Sequence, residues 1–193
     1  MVTSNQHKAL EMERIARIRG APIKLHVKSL PHYEIQADTL EEIAIHSAQH
    51  AWEKIRCPLI TEDSGLFIDA LKGFPGPFSS YVYKTISNKG ILRLMEGVRD
   101  RSATFRSVIA YVNNKQLKVF KGHVHGRISE KEAGKEGFGF DPIFIPENSE
   151  KTFSQMGEEK NRLSHRAKAF NSLLDWFIKE YSDKRGERRG ENG

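Results

Sequence analysis

Residues 61–77 read TEDSGLFIDALKGFPGP and place two adjacent carboxylates, Glu62 and Asp63, directly after a short apolar run. Gly65 follows the acidic residues, so the pattern predicts that a strand ends in a turn here. Because successive side chains of a regular strand point to opposite faces, we expect only such a break to aim both carboxylates at one point. Magnesium is usually held by one or two carboxylates, with water and substrate phosphates completing its shell. The stretch therefore predicts a magnesium site, and a solvated acidic loop is the alternative.

The composition indicates a soluble globular protein with an anionic partner. The chain has 193 residues, which suits one domain or two closely joined lobes, and 38% of them are hydrophobic. No apolar run approaches the roughly 20 residues needed to cross a bilayer, so we expect a cytoplasmic protein without a membrane partner. The net charge of +6 fits a phosphate-bearing small molecule. Part of that charge lies in residues 183–193, which we interpret as a disordered tail, so nucleic acid is not expected.

Alternating helical and strand patterns predict an α/β fold in one domain over residues 1–182. Thr39 and Glu42 form a capping box ahead of a helix. Residues 103–111 and 117–128 have the composition of long strands joined by a hairpin, and residues 23–27 alternate as a half-buried strand does. We expect a long, mixed, twisted sheet in two lobes, with the functional cleft between them.

The segment TSNQHK at residues 3–8 predicts a helix start that can bind phosphate. Ser4 or Asn5 can cap this helix, which would leave free backbone N–H groups beside Lys8. Its apolar face is expected to carry Leu10, Ile15 and Ile18. A capped helix without a ligand is the simpler alternative.

Two later segments combine aromatic and basic residues. In GFGFDP, at residues 137–142, Phe138 and Phe140 can stack on a base, although both also fit a core. In EEKNRLSHRAK, at residues 158–168, polar groups gather in the first turns of a helix predicted over 158–181, where they can bind anions or lie in solvent. The histidine pairs 46/50 and 123/125 are interpreted as surface residues.

These motifs, in this order, resemble the inosine triphosphate pyrophosphatase family, also called XTP/dITP diphosphatases. The resemblance extends over TSNQHK, TEDSGLFIDALKGFPGP, GFGFDPIF and EEKNRLSHR, which together cover nearly the whole chain. It implies a two-lobed α/β enzyme, usually a homodimer, that uses Mg²⁺ to hydrolyse ITP, dITP and XTP to the nucleoside monophosphate and pyrophosphate.

The resemblance also implies roles for individual residues. Asp63 is expected to activate water, and Glu34, Glu62 and Asp63 are expected to bind the metal. The expected substrate-binding residues are Thr3, Asn5, Lys8, Ser64, Phe138, Phe140, Asp141, Lys160, Ser164, His165 and Arg166. Two alternatives stay open: a pyrophosphatase for another modified nucleotide, and a non-enzymatic nucleic-acid binder.

Overall fold

The computed structural model describes the backbone of residues 1–21, 23–30 and 35–190, and side chains as far as residue 180 within these ranges. The helices are α1 (Gln6–Ile18), α2 (Leu40–Ile55), α3 (Ser79–Leu94), α4 (Phe153–Met156), α5 (Lys160–Leu163) and α6 (His165–Gly190). The strands are β1 (Leu59–Ile68), β2 (Ser102–Val112), β3 (Leu117–Ile128) and β4 (Phe144–Pro146). The predicted α/β class is confirmed. Helix α6 continues past the predicted domain boundary at residue 182, and the disorder of the tail stays a prediction.

The strands form one sheet in the order β1-β2-β3-β4, and each neighbouring pair is antiparallel. The predicted hairpin is present, with Val112 opposite Leu117 and the Asn113 amide donating to the Gln116 carbonyl at 3.0 Å. Parallel pairing among the described residues is limited to the bridge between Val2 and Lys28. The alternating residues 23–27 therefore form no strand of their own, because this short N-terminal stub gives them so little edge to pair with.

Apolar residues on both faces of the sheet fix the positions of the helices. On one face, Ile60 and Ile109 pack in a cluster with residues of α1 and α6, such as Phe170. On the opposite face a second cluster joins the sheet to α2, and a third surrounds the far end of β1. These separate clusters agree with the predicted two lobes.

Strand β1 continues through the acidic pair, so the predicted turn at Glu62 and Asp63 is wrong. Every residue of β1 has a partner on β2, and the two carboxylate residues lie opposite Ile109 and Val108. Acidic residues and glycine are poor strand formers, but pairing along the whole length of the neighbouring strand outweighs that weak local preference.

The helices that flank the site also differ from their predicted form. Helix α1 buries Ile15 but leaves Leu10 and Ile18 about half exposed, because its core face runs along Ala9 and Met12 instead. The long helix predicted over residues 158–181 is interrupted at Ser164, whose extended backbone separates α5 from α6.

Candidate active site

A cleft of about 1390 Å³ brings most of the predicted site residues together. The predicted residues that line it are Thr3, Asn5, Lys8, Glu62, Asp63, Ser64, Phe138, Phe140, Asp141, Lys160, His165 and Arg166. Ser164 does not line the cleft; its hydroxyl accepts from the Ala167 amide at 3.1 Å and caps α6. Glu34 lies outside the described residues.

The two carboxylates of β1 meet around the edge of the strand. The Ile60 carbonyl points out of this edge and accepts from the Val2 amide at 2.8 Å. Two residues later the Glu62 carbonyl accepts from Lys8 Nζ at 3.2 Å. The same ammonium lies 2.8 Å from Glu62 Oε2 and 3.8 Å from Asp63 Oδ1. A cation at the strand edge can therefore reach side chains on adjacent positions, and no break in the strand is needed.

Glu62 is a fully buried carboxylate that remains ionised. Its Oε1 accepts from Ser107 Oγ at 2.7 Å and from Arg166 Nε at 3.2 Å. Burial opposes ionisation, but the charges of Arg166 and Lys8 outweigh it and hold the pKa of Glu62 well below its usual range. The neighbouring Asp63 side chain keeps 19% of its surface exposed, so it is the carboxylate open to the cleft.

The donor set at this edge fits a hard divalent cation. Two carboxylates and a backbone carbonyl already surround one cationic group, the Lys8 ammonium. Oxygen donors of this kind suit Mg²⁺, which keeps several positions for water and phosphate. Across residues 1–21, 23–30 and 35–190, no three His, Cys, Asp or Glu side chains group closely enough to hold a metal. The described part of the chain therefore supplies two of the three predicted carboxylates.

A chain of buried opposite charges extends from this edge to the other side of the cleft. Arg166 donates to Glu11 and to Ser64, in addition to Glu62. Glu11 also pairs with Lys160, whose Nζ lies 2.7 Å from Asp141 Oδ2. Burial raises the pKa of Asp141, whereas Arg166 and Lys160 outweigh the burial of Glu11 and lower its pKa.

Glu11 was missed by the sequence analysis, although it joins the two halves of this chain. It lies on α1, where an acidic residue between Leu10 and Met12 has the pattern of a solvated helix face. Its partners are 149 and 155 residues away in the sequence, so no local signal pointed to it.

The aromatic residues occupy two different environments. Phe138 faces the cleft, with the His7 ring stacked 5.3 Å away and Lys160 Nζ 5.1 Å from its ring centre. Phe140 is 3% exposed and packs edge-on against Tyr83 at 5.5 Å, as a core residue at the cleft wall. A ring entering this side of the cleft would meet Phe138 first.

His165 is buried in a stack rather than in solvent. Its ring lies parallel to Phe105, with centroids 4.5 Å apart. Burial, followed by the nearby charge of Arg166, lowers its pKa well below 6.5, so the imidazole is neutral at pH 7.

The helix start at residues 3–8 is capped as predicted, but its amides are less available than expected. Asn5 Oδ1 accepts from the amides of His7 and Lys8 at 3.0 and 3.3 Å, and Thr3 Oγ1 accepts from the Asn5 amide. Phosphate binding at this point would therefore depend on the Lys8 side chain more than on free amides.

The fold and the cleft define an α/β protein with a charged site large enough for a nucleotide. The chain belongs to the Ham1 family, whose model matches residues 1–176. This confirms the resemblance inferred from the four motifs. Over the described residues, no helix combines the length and apolar character needed to span a lipid bilayer.

Relatives of known name support the same family. The chain is 49% identical over 178 residues to the dITP/XTP pyrophosphatase of Pyrococcus horikoshii, with 91% of this chain and 94% of the relative covered. It is 46% identical over 185 residues to the dITP/XTP pyrophosphatase of Saccharolobus solfataricus, with 95% of each covered. Among solved structures, a HAM1 protein from Coxiella burnetii has a TM-score of 0.79 at 31% identity, with 92% of this chain and 96% of that chain covered.

Proposed function

We propose that this Ham1-family protein is a hydrolase that converts dITP, ITP and XTP to the nucleoside monophosphate and pyrophosphate. The names of its relatives support the substrate class. The observation that carries the proposal is the convergence of Glu62, Asp63 and Lys8 at one edge of the cleft, with a buried Arg166 behind them. Carboxylates facing basic residues are the groups that a metal-assisted attack on phosphate requires.

The proposed metal is Mg²⁺, held by Glu62 and Asp63 and, as the resemblance implies, by Glu34. When bound there, it would neutralise negative charge on the phosphate oxygens and make the phosphorus more electrophilic. Because Lys8 already lies between the two carboxylates, it would turn toward the triphosphate when the ion enters.

Each carboxylate has a different proposed part in the reaction. Asp63 is partly exposed, so it can orient a water molecule and take its proton during in-line attack on the α-phosphorus. Glu62 is tied to Ser107 and Arg166, so it serves as a fixed ligand. Lys8 would balance charge on the phosphates, and the pyrophosphate would leave from the opposite side of the phosphorus.

Selection of the base is proposed to occur on the side of Phe138, whose ring can stack on a purine. Hypoxanthine and xanthine carry an acceptor oxygen where adenine carries an amino donor. N–H groups of Arg166, Lys160 or the backbone would lose their partner with ATP, and each buried donor left unpaired costs about 1–3 kcal/mol. Since Arg166 already donates to three groups, the base edge would have to use its remaining N–H bonds.

The test is release of pyrophosphate and orthophosphate from ITP, XTP, dITP, ATP and GTP, with Mg²⁺ and with chelator. We expect pyrophosphate from the first three only when metal is present. Asp63→Asn should lower kcat by at least 10²-fold, the usual lower range for a positioned base, with unchanged folding. Asp69→Asn is the matched control, because Asp69 is an exposed residue of the turn that follows β1. Near-normal turnover by Asp63→Asn would remove Asp63 from this role.

A pyrophosphatase for another modified nucleotide would show the same metal dependence but a different ranking of rates among the substrates. The same assay therefore separates that alternative from the proposed function. A nucleic-acid binder would instead bind in a steeply salt-dependent manner and tolerate loss of Glu62 and Asp63.

We also propose a cytoplasmic homodimer. Apolar side chains of α3 and the turn before it are exposed, among them Tyr81 at 69%, and exposed apolar patches often mark interfaces. Light scattering after size exclusion gives the mass of the particle, and a monomer at micromolar concentration would contradict the assembly. Fractionation of cells tests the compartment.

A further inference from the structure

Ser107 is a buried hydroxyl on β2 that contacts the proposed metal ligand Glu62. It is 0% exposed, and its Oγ donates to Glu62 Oε1 at 2.7 Å. It lies directly opposite Ser64 in the β1–β2 register, so Ser64, Ser107 and Glu62 share one face of the sheet. A hydroxyl placed in the core needs a partner, and here that partner is a carboxylate of the site.

The two oxygens of Glu62 have different surroundings. Oε1 accepts hydrogen bonds from Ser107 and Arg166, whereas Oε2 lies 2.8 Å from the Lys8 ammonium at the strand edge. Two donors on one oxygen restrict rotation of the carboxylate. The second oxygen is consequently held toward the position that a cation would take.

The packing of α6 brings the two donors together. Gly122 of β3 lies opposite Ser107, and a Cβ on it would be 2.1 Å from the His165 carbonyl. Glycine at this position therefore lets the start of α6 come close to the sheet, and Arg166 follows directly. Ser107 approaches Glu62 from the neighbouring strand and Arg166 from the helix above.

We propose that Ser107 is a positioning residue that orients Glu62 Oε2 toward the metal at the edge of β1. This inference rests on the proposed function and extends it to a residue that touches neither substrate nor metal. Partners in the outer shell of a metal site typically change metal affinity by roughly 10–100-fold when they are removed. Ser107 is the better probe of this effect, because Arg166 also bonds Glu11 and Ser64 and its loss would break the whole chain of charges.

The experiment compares Ser107→Ala, Ser107→Thr and Ser102→Ala with wild type. Ser102 is the matched control, since it begins the same strand and is exposed. Mn²⁺ binding to the nucleotide-free protein is followed by electron paramagnetic resonance of the free ion. The Mg²⁺ concentration for half-maximal pyrophosphate release is then measured at saturating ITP, and Tm is recorded for each variant.

We expect Ser107→Ala to weaken Mn²⁺ binding and to raise the half-maximal Mg²⁺ concentration by roughly 10-fold or more. Its KM for ITP at saturating metal should change little, Ser107→Thr should restore metal binding, and Ser102→Ala should match wild type. Metal affinities of Ser107→Ala equal to wild type would overturn the proposal, as would the absence of Mn²⁺ binding by active wild-type protein. A loss confined to Tm and kcat, without rescue by threonine, would assign Ser107 a structural role only.

Inactive wild-type protein that still binds Mn²⁺ in a Ser107-dependent manner would contradict the proposed reaction while supporting the positioning role. The two proposals can therefore fail separately.

Discussion

Replacement of Glu11 by glutamine tests how strongly the buried chain of charges stabilises the protein. The Glu11 carboxylate pairs with Lys160 through one oxygen and with Arg166 through the other, and the two cationic side chains are 5% and 2% exposed. Glutamine keeps the shape of the glutamate side chain and one acceptor oxygen, but its amide NH2 group would face a buried cation. Loss of one partner from a buried ion pair costs about 3–5 kcal/mol, and we expect the free energy of unfolding to fall by this amount.

The measurement is urea unfolding of E11Q and of wild type, supported by thermal melts. At about 2–4 °C per kcal/mol for a chain of this size, Tm should fall by about 6–20 °C. E150Q is the matched control: Glu150 pairs with Arg127 at 2.7 Å but is 91% exposed, so its loss should cost no more than about 1 kcal/mol. If E11Q is destabilised no more than E150Q, the buried chain does not stabilise the fold.

Two further predictions concern His165 and Gly65. His165 stays neutral in the folded protein, whereas in the unfolded chain it takes up a proton below about pH 6.5. The free energy of unfolding should therefore fall by up to about 1.4 kcal/mol for each unit that the pH is lowered below 6.5. The charged groups that act on His165 are Arg166, Lys160, Glu62 and Lys8. Urea unfolding between pH 7 and 5 should show a smaller slope for His165→Gln, and equal slopes would contradict this origin. A Cβ on Gly65 would lie 2.2 Å from the Gly76 carbonyl, so Gly65→Ala should cost about 1–3 kcal/mol. The control is Gly20→Ala, which adds a side chain in open space at positive φ. A smaller loss of unfolding free energy for Gly65→Ala than for this control would refute the steric argument.

Patterns that depend on local chemistry were readable from the sequence. The N-cap at Thr39 is present, with its Oγ1 accepting from the Glu42 amide at 3.2 Å. The predicted capping box is only half formed, because the Glu42 carboxylate accepts from the Thr39 hydroxyl at 2.7 Å instead of from the Thr39 amide. Strand β3 has the predicted bounds, and the turn at Asn113 and Asn114 ahead of it gave a local signal for its start. Most of the predicted site residues line one cleft, Ser164 does not, and the roles assigned to them stay predictions.

Features that depend on distant partners were not readable. The interruption at Ser164 is an exception, because a serine that can cap the helix beginning at His165 is a local signal. The apolar periodicity of the segment favoured one continuous helix instead. The strand through Glu62 and Asp63 has no local signal, because these residues have low strand propensity and are held in the strand by pairing with β2. Glu11 resembles a surface residue until α1 is packed against α5 and α6.

The outer edge of β1 has a consequence for self-association. Val2 covers this edge at Ile60 and the Lys8 ammonium covers it at Glu62. Further along, Ser79 Oγ accepts from the Leu66 amide, and the Phe74 carbonyl accepts from the amide of Ile68. An exposed strand edge is a template for pairing with another chain, and a buried or charged edge prevents it. The residues that shape the cleft thus also prevent the sheet from being extended at β1, so a second copy of the chain cannot add a strand there.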